Sequence, residues 1–358
     1  MTDRVTRLRE RLEERGGDAF FSVSPADNQY LSGFTGTTSA IIISQTQARF
    51  LCDFRYTEQA ESQVNGFEVE EVSGHLPTRL GEALTALGVK TAVYAPQALT
   101  VAELRDIEAA YASGPCEPDA DIVAALRQRK SPGEIETIRR ASALAEGVLA
   151  DLLDQLEAGI TERELAARFE YEFKCRGASG ASFETIALFG ARSSLPHGAP
   201  QDTPLREGDT VLLDFGCRLD GYCSDLTRTY AFGTIPGIWF EGTYELVLTA
   251  QSMALEAVRP GMRACELDAA ARSLIEDAGH GKHFGHGLGH GVGIEVHEGP
   301  RLNRESDTLL EPGMVITIEP GIYLPGQGGI RIEDLVAVTE DGCDILSCTA
   351  KELRILEG

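Results

Sequence analysis

Residues 286–298, HGLGHGVGIEVHE, constrain this chain more than any other stretch. Three of its seven histidines, His286, His290 and His297, fall within twelve residues, interleaved with Gly287, Gly289, Gly291 and Gly293. Glycine at alternate positions weakens a strand and costs more in a helix. A chain accepts that cost where backbone must approach something closely or turn sharply. A glycine-rich loop with incidental histidines looks the same, so the flanking sequence has to decide.

The flanks supply carboxylates. VLLDFGCRLDGYCSDLTRTY (211–230) reads as two strands joined by a turn at Leu219-Asp220-Gly221, since Asp-Gly is the strongest short hairpin signal. Asp214 and Asp225 lie on its two arms. MVITIEPGIYL (314–324) and GIRIEDLVAVT (329–339) read as two further strands carrying Glu319 and Glu333. Alternation from Ile330 and Ile332 puts Arg331 and Glu333 on one face. Taken singly, each acid reads as a turn or edge residue, or as half of a salt bridge worth about 1 kcal/mol or less. Together, four carboxylates ending apolar strands would repel severely without cations. With one imidazole they form a set of two Asp, two Glu and one His. Two divalent metals resolve the repulsion, and oxygen-dominated ligands suit Mn²⁺, with Co²⁺, Fe²⁺ or Zn²⁺ as other candidates.

Charge narrows the partners. With 32 Lys+Arg against 56 Asp+Glu, the chain lacks the basic face that nucleic acid requires. No run of 18 apolar residues suggests a membrane span. The start, MTDRVTRLRERLEERGG, is a charged helix rather than a signal peptide. A cytoplasmic protein is the expectation. The eight cysteines contain no CxxC pair, which favours reduced thiols over a disulfide framework or a zinc–thiolate site.

Length favours about two domains. In residues 1–125, helix-like segments (1–16, 78–87, 99–110) alternate with strand-like ones (18–23, 40–44, 48–54, 66–73, 90–96), an α/β pattern. Ser131-Pro132-Gly133-Glu134 then starts a helix expected to run to about Leu156, with Ser as N-cap and Glu at N3. A second helix starts at Thr161 with Glu164 at N3. Helices at about 243–258 and 264–278 and glycine-punctuated hairpins make residues 126–358 an α+β domain.

At this point the chain resembles a known family, the "pita-bread" metallopeptidases of family M24, in their Xaa-Pro peptidase branch (prolidase and aminopeptidase P). The matching stretches are LPHGAP (195–200), LLDFGCRLDGYCSDLTRTY (212–230), FGHGLGHGVGIEVHEGPRL (284–302), LEPGMVITIEPGIYLPG (310–326) and GGIRIEDLVAV (328–338). YLSGFTGTTSAIII (30–43), FLCDFRYTEQA (50–60) and KSPGEIETIRRA (130–141) match as well. The resemblance implies an amino-terminal creatinase/prolidase-like α/β domain (1–125) used in substrate gating and dimerisation, and a pita-bread catalytic domain (126–358). It implies Asp214 and Asp225 on one metal, His290 and Glu319 on the other, and Asp225 and Glu333 bridging both. It implies that His297 hydrogen-bonds the scissile carbonyl or developing oxyanion, that His197 contacts substrate near the scissile bond and that His286 lines the proline pocket. Glu319 would carry a proton to the leaving nitrogen, and Arg331 would anchor Glu333 from behind. The implied reaction is hydrolysis of an Xaa-Pro bond by a hydroxide activated by two metals, in a homodimer.

Two readings remain within the branch. A dipeptidase must recognise the proline carboxylate, and Arg is the fitting residue. Arg301, four residues after His297, resembles the position prolidases use, and Arg55 is a second candidate, with Arg49 a weaker one. GFTGTT and DFRYTEQA are also like short aminopeptidase P-type sequences. We therefore expect dipeptide hydrolysis, with aminopeptidase P action on longer peptides as the alternative. A metal-free creatinase-like hydrolase, or a non-catalytic binding protein of the same fold, would lack ligands that are all present here. Methionine aminopeptidases share the ligands but usually lack the amino-terminal domain. Trp239 and Phe240 suggest either a lid or packing at a helix start.

Overall fold

The computed structural model describes residues 2–357. The chain divides into two compact units, Met1–Arg127 and Gln128–Gly358.

The first unit runs α1 (Thr2–Glu14), β1 (Ala19–Ser22), α2 (Pro25–Ser32), β2 (Ala40–Ser44), β3 (Ala48–Cys52), α3 (Thr57–Gln63), β4 (Glu68–Glu71), α4 (Leu76–Ala86), β5 (Ala92–Tyr94), α5 (Val101–Ala110), β6 (Cys116–Pro118) and α6 (Ala124–Gln128). Its six strands form one sheet in the order β4-β3-β2-β1-β5-β6. The β1–β2 and β2–β3 pairs are antiparallel and the others parallel. Phe21, Ile42 and Leu51 from the sheet bury against Leu80, Leu84 and Ile107 of α4 and α5. Helices α2 and α3 are too short to show periodicity in the sequence. Local chemistry makes α2: Ser24 caps it by accepting the Asp27 N–H, Pro25 stands in its first turn and Gly33 ends it at φ 85°.

The second unit begins with α7 (Pro132–Leu153) and α8 (Glu162–Cys175). Both expected capping boxes form, Ser131 with Glu134 and Thr161 with Glu164; such caps contribute about 1 kcal/mol each. The strands β7 (Gly180–Ala181), β8 (Ile186–Phe189), β9 (Thr210–Phe215), β10 (Cys217–Leu219), β11 (Tyr222–Cys223) and β12 (Leu226–Phe232) follow. Next come α9 (Phe240–Ala257), α10 (Ala264–Asp277), β13 (Gly289–Gly291), β14 (Glu298–Leu302), β15 (Val315–Ile318), β16 (Gly321–Leu324), β17 (Gly328–Arg331), β18 (Asp334–Val338), β19 (Cys343–Ile345) and β20 (Ile355–Leu356).

Two helix-on-sheet halves result. Helices α7 and α8 cover the sheet β20-β12-β9-β8 through Leu149, Phe169, Phe173, Phe215 and Tyr230. Helices α9 and α10 cover β14-β13-β15-β18-β19 and the β16–β17 hairpin through Val247, Leu267, Ile275, Ile316 and Ile330. The halves meet along β12. There Thr227 O accepts the Glu333 N–H at 3.1 Å, and Thr229 Oγ1 exchanges hydrogen bonds with Arg331 O (2.9 Å) and Arg331 N (3.1 Å).

Two expected single strands are each broken in two. Residues 314–324 split at Glu319-Pro320 into β15 and β16, and residues 329–339 split at Ile332-Glu333 into β17 and β18. The pieces belong to different sheets. Proline cannot donate to the ladder, which accounts for the first break. Both acids therefore stand where a strand changes sheet, at the seam between the halves.

Candidate metal centre

The hairpin turn forms as expected, with Asp220 at φ 48° and Gly221 at φ 84°, the left-handed pair of a tight hairpin. In the β9–β12 ladder Asp214 stands opposite Thr227. Asp225, just before β12, is thus a same-face diagonal neighbour of Asp214. Glu333 reaches the same point from the β17–β18 break. Asp214, Asp225 and Glu333 offer ligand oxygens all within 4.8 Å of one another. His290 Nε2 lies 3.5 Å from Asp225 Oδ2 and 3.4 Å from Glu319 Oε1. The five residues of the expected set are brought together.

The glycines around His290 are explained by backbone. A Cβ on Gly289 would lie 2.0 Å from Thr317 O, and one on Gly291 would lie 2.0 Å from Gly299 O. Strand β13 is thus wedged between β14 and β15, closer on both sides than a side chain permits. The His290 N–H donates to Thr317 Oγ1 at 3.0 Å, and Thr317 Oγ1 donates to Glu319 at 3.1 Å. The His290 ring Nδ1 faces Gly291 O at 3.0 Å. A carbonyl only accepts, so Nδ1 carries the proton and Nε2 presents a lone pair to two carboxylates.

This arrangement fits cations. Asp214 Oδ1 is buried with no hydrogen-bond partner among the described residues. Burial, reinforced by the neighbouring acids, pushes Asp225 and Glu333 well above the usual carboxylate range. Burial also raises Glu319 to about 7, against the opposing pull of Arg331, and lowers His290 to about 4, leaving it neutral. Crowded oxygens plus an imidazole lone pair repel one another until positive charge sits between them.

Arg331 is buried and stitches the site from behind. Its Nη2 pairs with Asp214 Oδ2 at 2.5 Å, Nη1 donates to Tyr323 Oη at 2.7 Å and Nε donates to Thr227 Oγ1 at 3.0 Å. The direct anchoring of Glu333 by Arg331 expected from the sequence is not what forms. Arg331 grips Asp214, and Thr227 Oγ1 donates to Glu333 at 2.6 Å as the intermediary, because Glu333 lies beyond the β17 end and turns toward β12.

The remaining histidines differ in setting. His286 Nδ1 faces Gly287 O at 2.8 Å, and Nε2 meets Tyr323 Oη at 3.0 Å. Burial, then Arg331, lowers His286 to about 3. The His297 ring lies edge-on to His290 at 4.4 Å between centroids. It is exposed, as is His197 in the 195–200 loop. His197 is close enough to act on both His286 and His297 electrostatically. The loop carrying His297 is pinned by Lys130 Nζ to Glu298 Oε2 at 3.0 Å, with both side chains buried.

Arg301 stands opposite His290 in the β13–β14 ladder and is exposed. Arg55 lies in the first unit, where its guanidinium pairs with Asp53 at 2.6 Å. Arg49 faces Glu68 and Glu70. Phe240 is fully buried at the start of α9, and Trp239 packs edge-on against it at 5.4 Å while its ring also lies over Gly328; helix-start packing describes the pair.

Sequence reasoning missed Tyr323, Thr227 and Thr317. Alternation in GIYL places Tyr323 on a strand four residues beyond Glu319, the only signal it carried. Threonines on strands carry none.

Comparison with known proteins gives the same outline. Residues 136–340 match the description "Metallopeptidase family M24" and residues 4–128 match "Creatinase/Prolidase N-terminal domain". The chain is 37% identical over 362 residues to the Xaa-Pro dipeptidase of Pyrococcus furiosus, covering 99% of this chain and 100% of that one. The structure of the Xaa-Pro dipeptidase from Bacillus anthracis superposes with a TM-score of 0.95 at 37% identity, covering 99% of each chain. That of the X-Pro aminopeptidase from Thermotoga maritima gives 0.89 at 38% identity, covering 96% of this chain and 99% of that one.

Proposed function

Because the chain belongs to metallopeptidase family M24, we propose that it hydrolyses the Xaa-Pro bond of dipeptides. The observation that carries this reading is the convergence of Asp214, Asp225, Glu333, His290 and Glu319 beside two exposed imidazoles, His197 and His297. Family membership implies divalent metal ions. In this reading Asp214, Asp225, His290, Glu319 and Glu333 hold two of them, with Mn²⁺ best matched to the oxygen-rich set. When bound, the pair supplies Lewis acidity and a nucleophilic water at neutral pH.

The chain's own groups do the rest. His297, held below the usual imidazole range by partial desolvation and by His197, donates its N–H to the scissile carbonyl oxygen as negative charge develops there. His197 contacts the substrate beside the same bond. The Glu319 carboxylate carries a proton to the prolyl nitrogen as it leaves. His286, tied to Tyr323 and Gly287 O, forms one wall for the proline ring. Arg301, exposed beside His297, receives the terminal carboxylate of a dipeptide. Arg55, paired with Asp53, is the second candidate for that role.

The amino-terminal unit gates substrate and contributes to a homodimer in this reading, a C2 pair being the commonest soluble assembly. No helix among the described residues is long and apolar enough to cross a membrane. In this reading the eight cysteines, which contain no CxxC pair, are reduced thiols in a cytoplasmic setting. The deciding experiment compares Ala-Pro with Ala-Pro-Ala in the Mn²⁺-loaded protein. Preference for Ala-Pro is expected. Strong preference for the tripeptide overturns the dipeptidase reading in favour of an aminopeptidase.

A further inference from the structure

The loop that carries His197 is closed by one buried carboxylate. Glu162, the first residue of α8, is fully buried. Its Oε1 accepts the Phe189 N–H at 2.9 Å and its Oε2 accepts the Gln201 N–H at 2.9 Å. Those two residues bracket the loop, Phe189 ending β8 and Gln201 following the LPHGAP segment. Arg192, inside the loop, places Nε 3.0 and 2.9 Å from the two Glu162 oxygens and donates from Nη2 to Ala199 O at 2.7 Å. At its tip the loop touches the metal centre's frame, where Arg331 Nη1 donates to Pro196 O at 3.3 Å.

A buried carboxylate is costly unless its oxygens are satisfied by charge and hydrogen bonds. Here that demand is met by the two ends of one loop and a cation within it, Arg192. Helix α8 needs no acid there, since Thr161 and Glu164 already cap it. We infer that Glu162 and Arg192 are positioning residues for His197, fixing the 190–200 loop so that the imidazole stands at the scissile bond. This rests on the reading of His197 given above.

Glu162→Gln tests it. The amide keeps the shape but turns two N–H donors toward groups that also donate, so one end of the loop must let go. Because small misplacements of a positioned group are expensive in rate, kcat for Ala-Pro should fall about 10-fold or more, with KM and Mn²⁺ stoichiometry little changed. In a His197→Ala background the same substitution should cause no further loss. Arg192→Gln, at a partly exposed side chain, should give the same pattern more weakly and serves if Glu162→Gln does not fold. Full kcat in Glu162→Gln, or an equal loss with and without His197, overturns the proposal alone. Wild-type turnover in His197→Ala overturns the role of His197 and the proposal with it.

Discussion

Arg331 Nη2 lies 2.5 Å from Asp214 Oδ2, while Asp214 Oδ1 is buried without a partner among the described residues. One oxygen is held by a fixed cation and the other is free to take a mobile one. The same guanidinium holds Tyr323 and Thr227, so three neighbours of the metal centre depend on its planar geometry. Lysine keeps the charge, but its donors sit on one nitrogen and cannot span the three groups that the planar guanidinium reaches from Nε, Nη1 and Nη2. Outer partners of metal ligands typically contribute 10–100-fold in affinity. Arg331→Lys should therefore weaken Mn²⁺ binding by about 10-fold or more, measured by calorimetric titration of the metal-free protein. Unchanged affinity would remove Arg331 from the frame of the site.

The metal-free protein should be destabilised by alkali. Asp225, Glu333 and Glu319 are raised in the folded state, Glu319 to about 7, chiefly by burial. Between the unfolded and folded pKa the native state holds more protons, so stability falls as pH rises, by up to about 1.4 kcal/mol per pH unit per proton. His286 and His290, lowered to about 3 and about 4, act in the opposite sense, but only below about pH 6.5, the unfolded histidine value. Above that pH the carboxylates act alone. The Tm of chelator-treated protein should thus drop between pH 6.5 and 8, and Mn²⁺ should abolish most of the drop. A flat profile without metal would contradict the repulsion on which the site's assignment rests.

Much of this site was legible in the sequence because its ligands sit on strong local signals. Asp214 and Asp225 flank an Asp-Gly turn, and His290 sits in a run of glycines. Less legible was what breaks a strand. Glu319 and Glu333 lie inside stretches that read as single strands, yet each marks a change of sheet; Pro320 signals the first break, while the second is decided by a partner distant in sequence, Thr227 O. The glycines' purpose was legible only in kind, since close approach was expected but the neighbours proved to be the β14 and β15 backbones. Glu162 carried no signal at all, because an acid in the first turn of a helix is ordinary and its partners lie in a later loop.

A buried pair on α10 holds the His286 segment. Arg272 and Asp268 join at 2.6 and 2.7 Å, Arg272 donates to Phe284 O and His286 O, and Asp268 accepts the Leu288 N–H at 3.0 Å. Asp268→Asn leaves a buried guanidinium without its counter-charge. Breaking such a pair costs about 3–5 kcal/mol, so the urea midpoint should fall sharply, with the m-value unchanged. A loss below about 1 kcal/mol, the scale of an exposed pair, would mean the segment is held by other contacts.

His290 and His297 stand 4.4 Å apart yet should fail differently. His290 aims its Nε2 lone pair at Asp225 and Glu319, so His290→Ala should lose bound metal along with activity. His297 is exposed and approaches His290 only ring to ring, so His297→Ala should keep its metal while kcat falls about 100-fold, the cost of one donor to a developing oxyanion. Metal content by elemental analysis, read beside kcat for Ala-Pro, separates the two. Equal loss of metal in both variants would make His297 part of the metal centre and leave the scissile carbonyl without its proposed donor.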